Sequence, residues 1–266
     1  YQLNAAKADT VKTNAAFFEG YYVVDNNKTY KPRMFAQAMQ FSPGDVYNRN
    51  DHNQSISRLV NLGVFKFVKN RFEPVENSDS AQLNTYYYLT SLPKKSLRAE
   101  INANIKSNAL AGSGITIGWR NRNTFRAGEL LSINATAGFE IQYSGQLKGF
   151  NTYRGGLETK LTFPRFLIPF VLLNTRSGFV PKTNILLAYD ILTKEKLYTM
   201  NSFRGEFGYA WKETVNKEHQ LNPIAINYVQ PIHVTPLYDS NAINNPSLQK
   251  AIEKQFIIGS NYNYNY

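Results

Sequence analysis

The chain has 266 residues, enough for one large or two modest domains with a substantial core, and no cysteine, which excludes disulfides, thiolate metal sites and cysteine nucleophiles without fixing a compartment. Lysine and arginine exceed aspartate and glutamate by 30 to 19, a net charge of +11. The basic residues are scattered in ones and twos, with no arginine-rich helix and no aromatic-basic signature, so nucleic acid is not expected as a partner.

The N-terminal stretch YQLNAAKADTVKTNAAFF lacks a basic region followed by an apolar one, so a targeting peptide is expected to have been removed or never included. The longest apolar run, FLIPFVLL at 166–173, is too short and too broken by proline for a membrane-spanning helix, which needs roughly 20 residues. Aromatic residues reach 14%, with 18 tyrosines and 17 phenylalanines, a bias that favours strands and suits membrane–water interfaces.

FEGYYVVDNN (18–27) predicts a strand ending in an Asp-Asn-Asn turn. Pro32 fits a first helical position, and Phe35, Ala38 and Met39 give that helix one apolar stripe. SPGD (42–45) breaks the chain. A second helix then starts with Asp51 as its N-cap, buries Ile56, Leu59 and Leu62, and stops at Gly63, a residue that tolerates the left-handed conformation. From Val64 the period moves toward two, with Val68 and Phe72 on one side and Lys69 and Arg71 on the other; QLNTYYYLTSL (82–92) is the partner strand. The order strand, helix, helix, strand, strand predicts an α+β domain over 1–93, with two helices on one face of a three-stranded sheet.

From 94 onward the sequence alternates. Leu97, Ala99, Ile101, Ala103 and Ile105 oppose Arg98, Glu100, Asn102, Asn104 and Lys106; Leu131, Ile133, Ala135, Ala137, Phe139 and Ile141 oppose Ser132, Asn134, Thr136, Gly138 and Glu140. Counting similar runs predicts eight antiparallel strands in 94–266. Alternation alone fits both a lipid-facing barrel and a soluble one with an apolar interior. Strand length, aromatic residues near strand ends and unequal connections favour lipid. GQLKGFNTYRGG and the stretch 231–255, with a short helix over Ser247 to Lys254, are the long connections expected on one side. On the other side lies FPRFLIPFVLLNTRSGFVPKT, where Pro164 and Pro169 forbid a regular strand. Phe163, Pro164, Phe166, Pro169 and Phe170 make it either an amphipathic rim element at a membrane interface or an apolar turn packed beneath the first domain.

FSPGDVYNRNDHNQSISRLVNLGVFKFVKNRFEP resembles the second half of a POTRA domain: a Pro-Gly-Asp turn, a capped helix and a Leu-Gly-x-Phe junction into a strand. With a run of barrel strands after it, the chain resembles the BamA/TamA family of outer-membrane assembly proteins, and Phe-Pro-Arg-Phe after the fourth barrel strand is similar to the bacteroidete TamL type. The resemblance implies a POTRA domain in the periplasm and a transmembrane β-barrel in the outer membrane of a Gram-negative bacterium. It implies outer-membrane lipid or lipopolysaccharide, unfolded outer-membrane protein clients, and periplasmic or inner-membrane assembly partners. Family barrels have sixteen strands and a Val-Arg-Gly-Phe or -Tyr motif; neither that motif nor the second eight strands occur, so the chain is expected to be the N-terminal part of a longer barrel.

Two edges follow as candidate sites. The resemblance makes the first barrel strand, Ser96 to Ser107, with Ser96, Leu97, Arg98, Ala99, Glu100, Ile101, Asn102 and Ala103, the one that pairs with a client; otherwise it is only part of the wall. Residues 65–73, with Phe65, Lys66, Phe67, Val68, Lys69 and Arg71, form an edge that either accepts an extended peptide or is protected by its basic side chains. His52, His219 and His233 lie far apart without ligand spacing, and no nucleophile or phosphate motif occurs, so no metal, cofactor or catalytic site is expected. A passive porin, or a barrel enzyme using Glu100, Glu140, Glu158, Asp190 or Glu206, is the alternative.

Overall fold

A computed structural model describes residues 15–75, 81–106, 110–142, 151–168, 177–243, 249–250 and 252–266. It begins with a small hairpin, β1 (Ala16–Phe18) and β2 (Tyr21–Val23), followed by α1 (Pro32–Ala38), α2 (Arg49–Asn61), β3 (Phe65–Pro74) and β4 (Leu83–Ser91). The single strand expected over 18–27 is therefore corrected. Glu19 and Gly20 take φ of 48° and 85°, a two-residue turn of left-handed conformation that folds FEGYY back on itself. β2 pairs with β1, and β3 pairs with β4 in a separate two-stranded ladder, so the expected three-stranded sheet is not formed by ladder bonds among the described residues.

Helix α1 starts with Pro32 in its first turn, as expected, but Met34 is buried with Ala38. Helix α2 starts earlier than the sequence indicated: Asn48, not Asp51, is the cap, its side chain accepting from the Asn50 amide at 2.8 Å. Its buried residues are His52, Ser55, Arg58 and Leu59; of the predicted stripe only Leu59 is fully enclosed. Gly63, at φ 71°, ends the helix.

The second part is one antiparallel meander of β5 (Lys95–Lys106), β6 (Leu110–Asn121), β7 (Leu130–Gln142), β8 (Thr152–Phe163), β9 (Lys182–Lys194), β10 (Tyr198–Lys212), β11 (Glu218–Val234) and β12 (Gln255–Asn265). All eight predicted strands are present, in sequential order, and β5 does not pair with β12, so this is an open sheet and not a closed eight-stranded barrel. Tyr153–Gly156, assigned from sequence to a connection, lies inside β8. β11 accommodates two prolines at breaks in its pairing: Pro223 sits in the gap between Asn222 and Ala225, and Pro231 beside the shift opposite Thr199 and Met200.

Register turns the alternation into two faces. Ala99, Ile117, Ala135, Leu157, Tyr189, Phe203, Tyr228 and Phe256 stand side by side across all eight strands. One step along, on the opposite face, run Arg98, Gly118, Asn134, Glu158, Ala188, Arg204, Asn227 and Ile257. The apolar face is uncovered: Leu97 is 72% exposed and Ile101 and Ile105 are each 80% exposed. The polar face carries ion pairs, Arg154–Glu140 at 2.6 Å and Arg204–Glu158 at 2.9 Å among them.

The core lies elsewhere. Met34, Val64, Phe65 and Ala127 are buried together, with Tyr30, Phe35, Leu62, Val68 and Leu89 around them, so a turn of the meander completes the interior of the first domain. At the opposite end of the sheet a short helix missed by the sequence reading, α3 (Pro236–Ala242), is capped by Thr235 and packs Tyr238 against Tyr198. The helix expected over Ser247 to Lys254 falls partly outside the described residues. No helix among the described residues is long and apolar enough to cross a membrane, which says nothing about strands.

Candidate functional site: a free edge, a docked domain and an aromatic rim

β5 places Leu97, Ala99, Ile101 and Ala103 on the apolar face and Ser96, Arg98, Glu100 and Asn102 on the polar one. One edge of the strand pairs with β6 from Lys95↔Asn121 to Lys106↔Leu110; its other edge has no ladder partner among the described residues. Ser96 is tied down where the strand begins, its Oγ accepting from Arg122 Nη1 at 3.2 Å. Arg98 and Glu100 pair with each other. Ser107 lies outside the described residues. Such an edge offers a row of amides and carbonyls to any extended segment.

Among the described residues β3 likewise pairs only with β4. A register shift between Phe65 and Phe67 turns Phe65 into the core and leaves Phe67 exposed, with the Lys66 ammonium 5.1 Å from its ring. Val68 is half-buried, Lys69 and Arg71 are exposed, and Arg71 holds Glu73 at 2.6 Å. The edge thus combines a free ladder side with protecting cations.

The residues that join the two parts were not singled out from the sequence. In the β6–β7 turn, Glu129 is 1% exposed, and its Oε2 accepts from the amides of Ala127 at 2.9 Å and Phe125 at 3.3 Å. Asn123 Oδ1 accepts from the Gly128 amide, and its Nδ2 reaches back to the Thr29 carbonyl at 2.9 Å. Gly128 sits at φ 79° with Met34, Pro164 and Val64 around its open side. The Lys31 amide donates to the Arg126 carbonyl at 2.6 Å. On the other flank, buried Arg58 donates to the carbonyls of Ser177 (3.1 Å), Phe179 (3.5 Å) and Gln37 (3.2 Å), and Asn61 donates to that of Gly178 at 2.9 Å. An arginine directly beside Leu59 on the helix side expected to be buried, and a glutamate among turn-forming Asn and Gly, were the available signals.

The connection after β8 packs on two different elements. Phe163 ends β8 on the apolar face. Beyond Pro164 the chain folds over the ends of β9 and β10: Phe166 meets the rings of Tyr209 and Trp211 at 5.8 and 6.0 Å, Tyr209 donates to the Leu167 carbonyl, and Thr183 is buried beneath, bonded to Arg165 and Leu167. Residues 177–179, by contrast, lie under helix α2. Pro169 and Phe170 are outside the described residues. Farther round the same end, His219 stacks on Trp211 at 4.8 Å and meets the Tyr262 hydroxyl at 2.7 Å, with Tyr264 at 5.0 Å, extending the aromatic rim to β12.

Among the described residues no group of three His, Asp or Glu is placed to hold a metal ion. Glu140, Glu158 and Glu206 each have an arginine within ion-pair reach, Glu100 is paired with Arg98, and Asp190 lies against Gly156.

No family model matches the chain, and no curated protein matches it by sequence. Among solved structures it is similar to BamA from Haemophilus ducreyi lacking POTRA domains 1–3, with 13% identity and a TM-score of 0.54 over 92% of this chain and 46% of that one. CdiB from Acinetobacter baumannii is more loosely similar, with 12% identity and a TM-score of 0.38 over 88% and 46%, too distant to carry an argument. The chain thus spans less than half the length of either neighbour, and what it shares with BamA is the fold: an antiparallel meander matching part of a BamA-like barrel.

Proposed function

We propose that the chain belongs to a non-enzymatic outer-membrane protein assembly or insertion factor of a Gram-negative bacterium, of the BamA/TamA type and TamL-like. The first domain is POTRA-like and periplasmic, and the meander is the first half of a transmembrane barrel with its polar face toward the lumen. The observation that carries this reading is a β5 edge without a ladder partner among the described residues, in a sheet whose apolar face is uncovered on all eight strands. In hydrocarbon an unpaired edge costs several kilocalories per mole for each unsatisfied backbone group, so β5 must pair with a closing strand, a client strand, or each in turn. A closing strand held weakly gives a seam through which an unfolded outer-membrane client can be templated. β3 supplies a second acceptor edge for clients or for periplasmic and inner-membrane partners. The lumen carboxylates paired with arginine support a solvated wall and not a catalytic pair.

The test is in cells. A photo-crosslinking residue at Arg98 in β5 should capture nascent outer-membrane proteins, and one at Asn222 in β11 should not. Depleting the protein should lower the level of other barrels in the membrane. Undiminished barrel levels together with no capture at β5 would leave a passive channel as the better description.

A further inference from the structure

Where the apolar face meets the first domain, the β6–β7 turn projects Phe125 and Arg126. Phe125 is 50% exposed and stacks on Phe163 at 6.3 Å, so it continues the apolar face to its very end. Arg165 lies 5.8 Å from the same Phe163 ring. Arg126, at φ 72°, is exposed and donates to the Lys28 carbonyl, while its own carbonyl accepts from Lys31; both lysine side chains are exposed. Bonds through Arg126 therefore bring the backbone of Lys28 and of Lys31 to the turn that carries Phe125, and Arg165 stands beside Phe163. The nearby carboxylates are engaged: Glu129 is buried on the turn amides and 3.7 Å from Arg165, and Asp25 accepts from the Tyr30 amide at 2.8 Å. No ion pair of Lys28, Lys31 or Arg126 occurs among the described residues.

We infer that Lys28, Lys31, Arg126 and Arg165 form a site for the phosphate headgroup of an anionic phospholipid in the leaflet next to the first domain, with Phe125 and Phe163 against its acyl chains. The inference rests on the transmembrane reading of the sheet. Its physical basis is that aromatic rings at headgroup depth anchor the interface, while clustered cations, of which only Arg165 has an acidic partner among the described residues, favour anionic over zwitterionic lipid. Because Lys28 and Lys31 belong to the first domain and Arg126 and Arg165 to the meander, one lipid would bridge the two and strengthen their junction.

The experiment reconstitutes the protein, with the strands that close its barrel, in nanodiscs of phosphatidylethanolamine containing a minority of phosphatidylglycerol, and native mass spectrometry counts the lipids retained. The wild-type chain should retain phosphatidylglycerol above its share of the bilayer. Lys31→Glu and Arg126→Glu should each lower that enrichment by at least about fivefold, the usual contribution of a single cation beside an anionic membrane, because each reverses a charge, and Arg126→Lys should preserve it. Lys31 makes no side-chain bond to the fold among the described residues, so its variant separates lost lipid from lost structure. Equal retention of both lipids, or enrichment unchanged in Lys31→Glu and Arg126→Glu, overturns the inference while the barrel reading stands. A protein that never enters the bilayer even with its closing strands present overturns both.

Discussion

Arg58, in helix α2, donates to the carbonyl of Ser177 at 3.1 Å although 119 residues separate them. It also holds the carbonyls of Phe179 and Gln37, so a single buried guanidinium ties the second helix to the first and to the connection before β9. Arg58→Ala leaves these buried acceptors without their donor and should cost about 2–4 kcal/mol. Limited proteolysis should find faster cleavage near Leu92–Lys95, where the two parts join, while the heat-stable fraction of the sheet is unchanged. Unaltered cleavage would mean that the β6–β7 turn alone holds the domain.

His52 and Tyr87 make the first domain sensitive to pH at both extremes. Their side chains meet at 2.8 Å, with Phe72 and Tyr47 packed on the imidazole. Burial holds His52 below its ordinary value of 6.5, so on acidification the unfolded chain gains a proton before the folded one does. Stability is intact above pH 6.5 and falls as pH drops through that value toward the folded one. Tyr87 is shifted the other way, raised first by burial and then by the phenols of Tyr21 and Tyr47. Stability therefore also falls as pH rises past 10.0, where an unfolded tyrosine ionises. Denaturation midpoints across pH should show both losses, and Tyr87→Phe should reduce the alkaline one, leaving the part that comes from Tyr21 and Tyr86, whose phenols burial also raises.

How much of this was legible follows from the range over which each signal acts. A strand with one apolar face writes its period into adjacent residues, so Leu97 to Ile105 and Leu131 to Ile141 disclosed their strands without help. The docking turn is different. Asn123 makes its decisive bond to Thr29, 94 residues away, and Glu129 is needed only because that turn is buried. Glu19-Gly20 is a weak turn signal because glutamate is an unusual first residue for a tight hairpin, and the β-branched and aromatic residues after it suggest a continuous strand. The helix after Thr235 carries a plain Thr-Pro start signal, but its seven residues, PLYDSNA, are too few to display a helical period.

Gly208 tests the packing of the β10–β11 break. A methyl group there would overlap Asn222 Oδ1 and approach the Leu221 carbonyl at 2.9 Å. Asn222 is itself buried at the shift that accommodates Pro223, so it has little room to yield. Gly208→Ala should destabilise the sheet by about 1–3 kcal/mol, the usual cost of overpacking. Gly208→Ala combined with Asn222→Ala should recover most of it. Unfolding midpoints of the three proteins measure the coupling directly, and additive effects would place the strain elsewhere.

The orientation of the two faces is open to a sharper measurement. Ile101 and Asn102 are neighbours near the middle of β5, one on each face, and each is in register with a β6 partner. If the apolar face meets acyl chains, Ile101→Arg puts a charge at the centre of the hydrocarbon, at a cost of about 2–4 kcal/mol. Asn102→Arg puts the same charge on the wall that already carries Arg98, Arg154 and Arg204, and should cost little. Equilibrium folding into vesicles in urea would report both values on one scale. The reverse order, with Asn102→Arg the costly change, would require the polar face to be the covered one. Equal, small costs would mean that neither face is in lipid, and the transmembrane reading would fall with them.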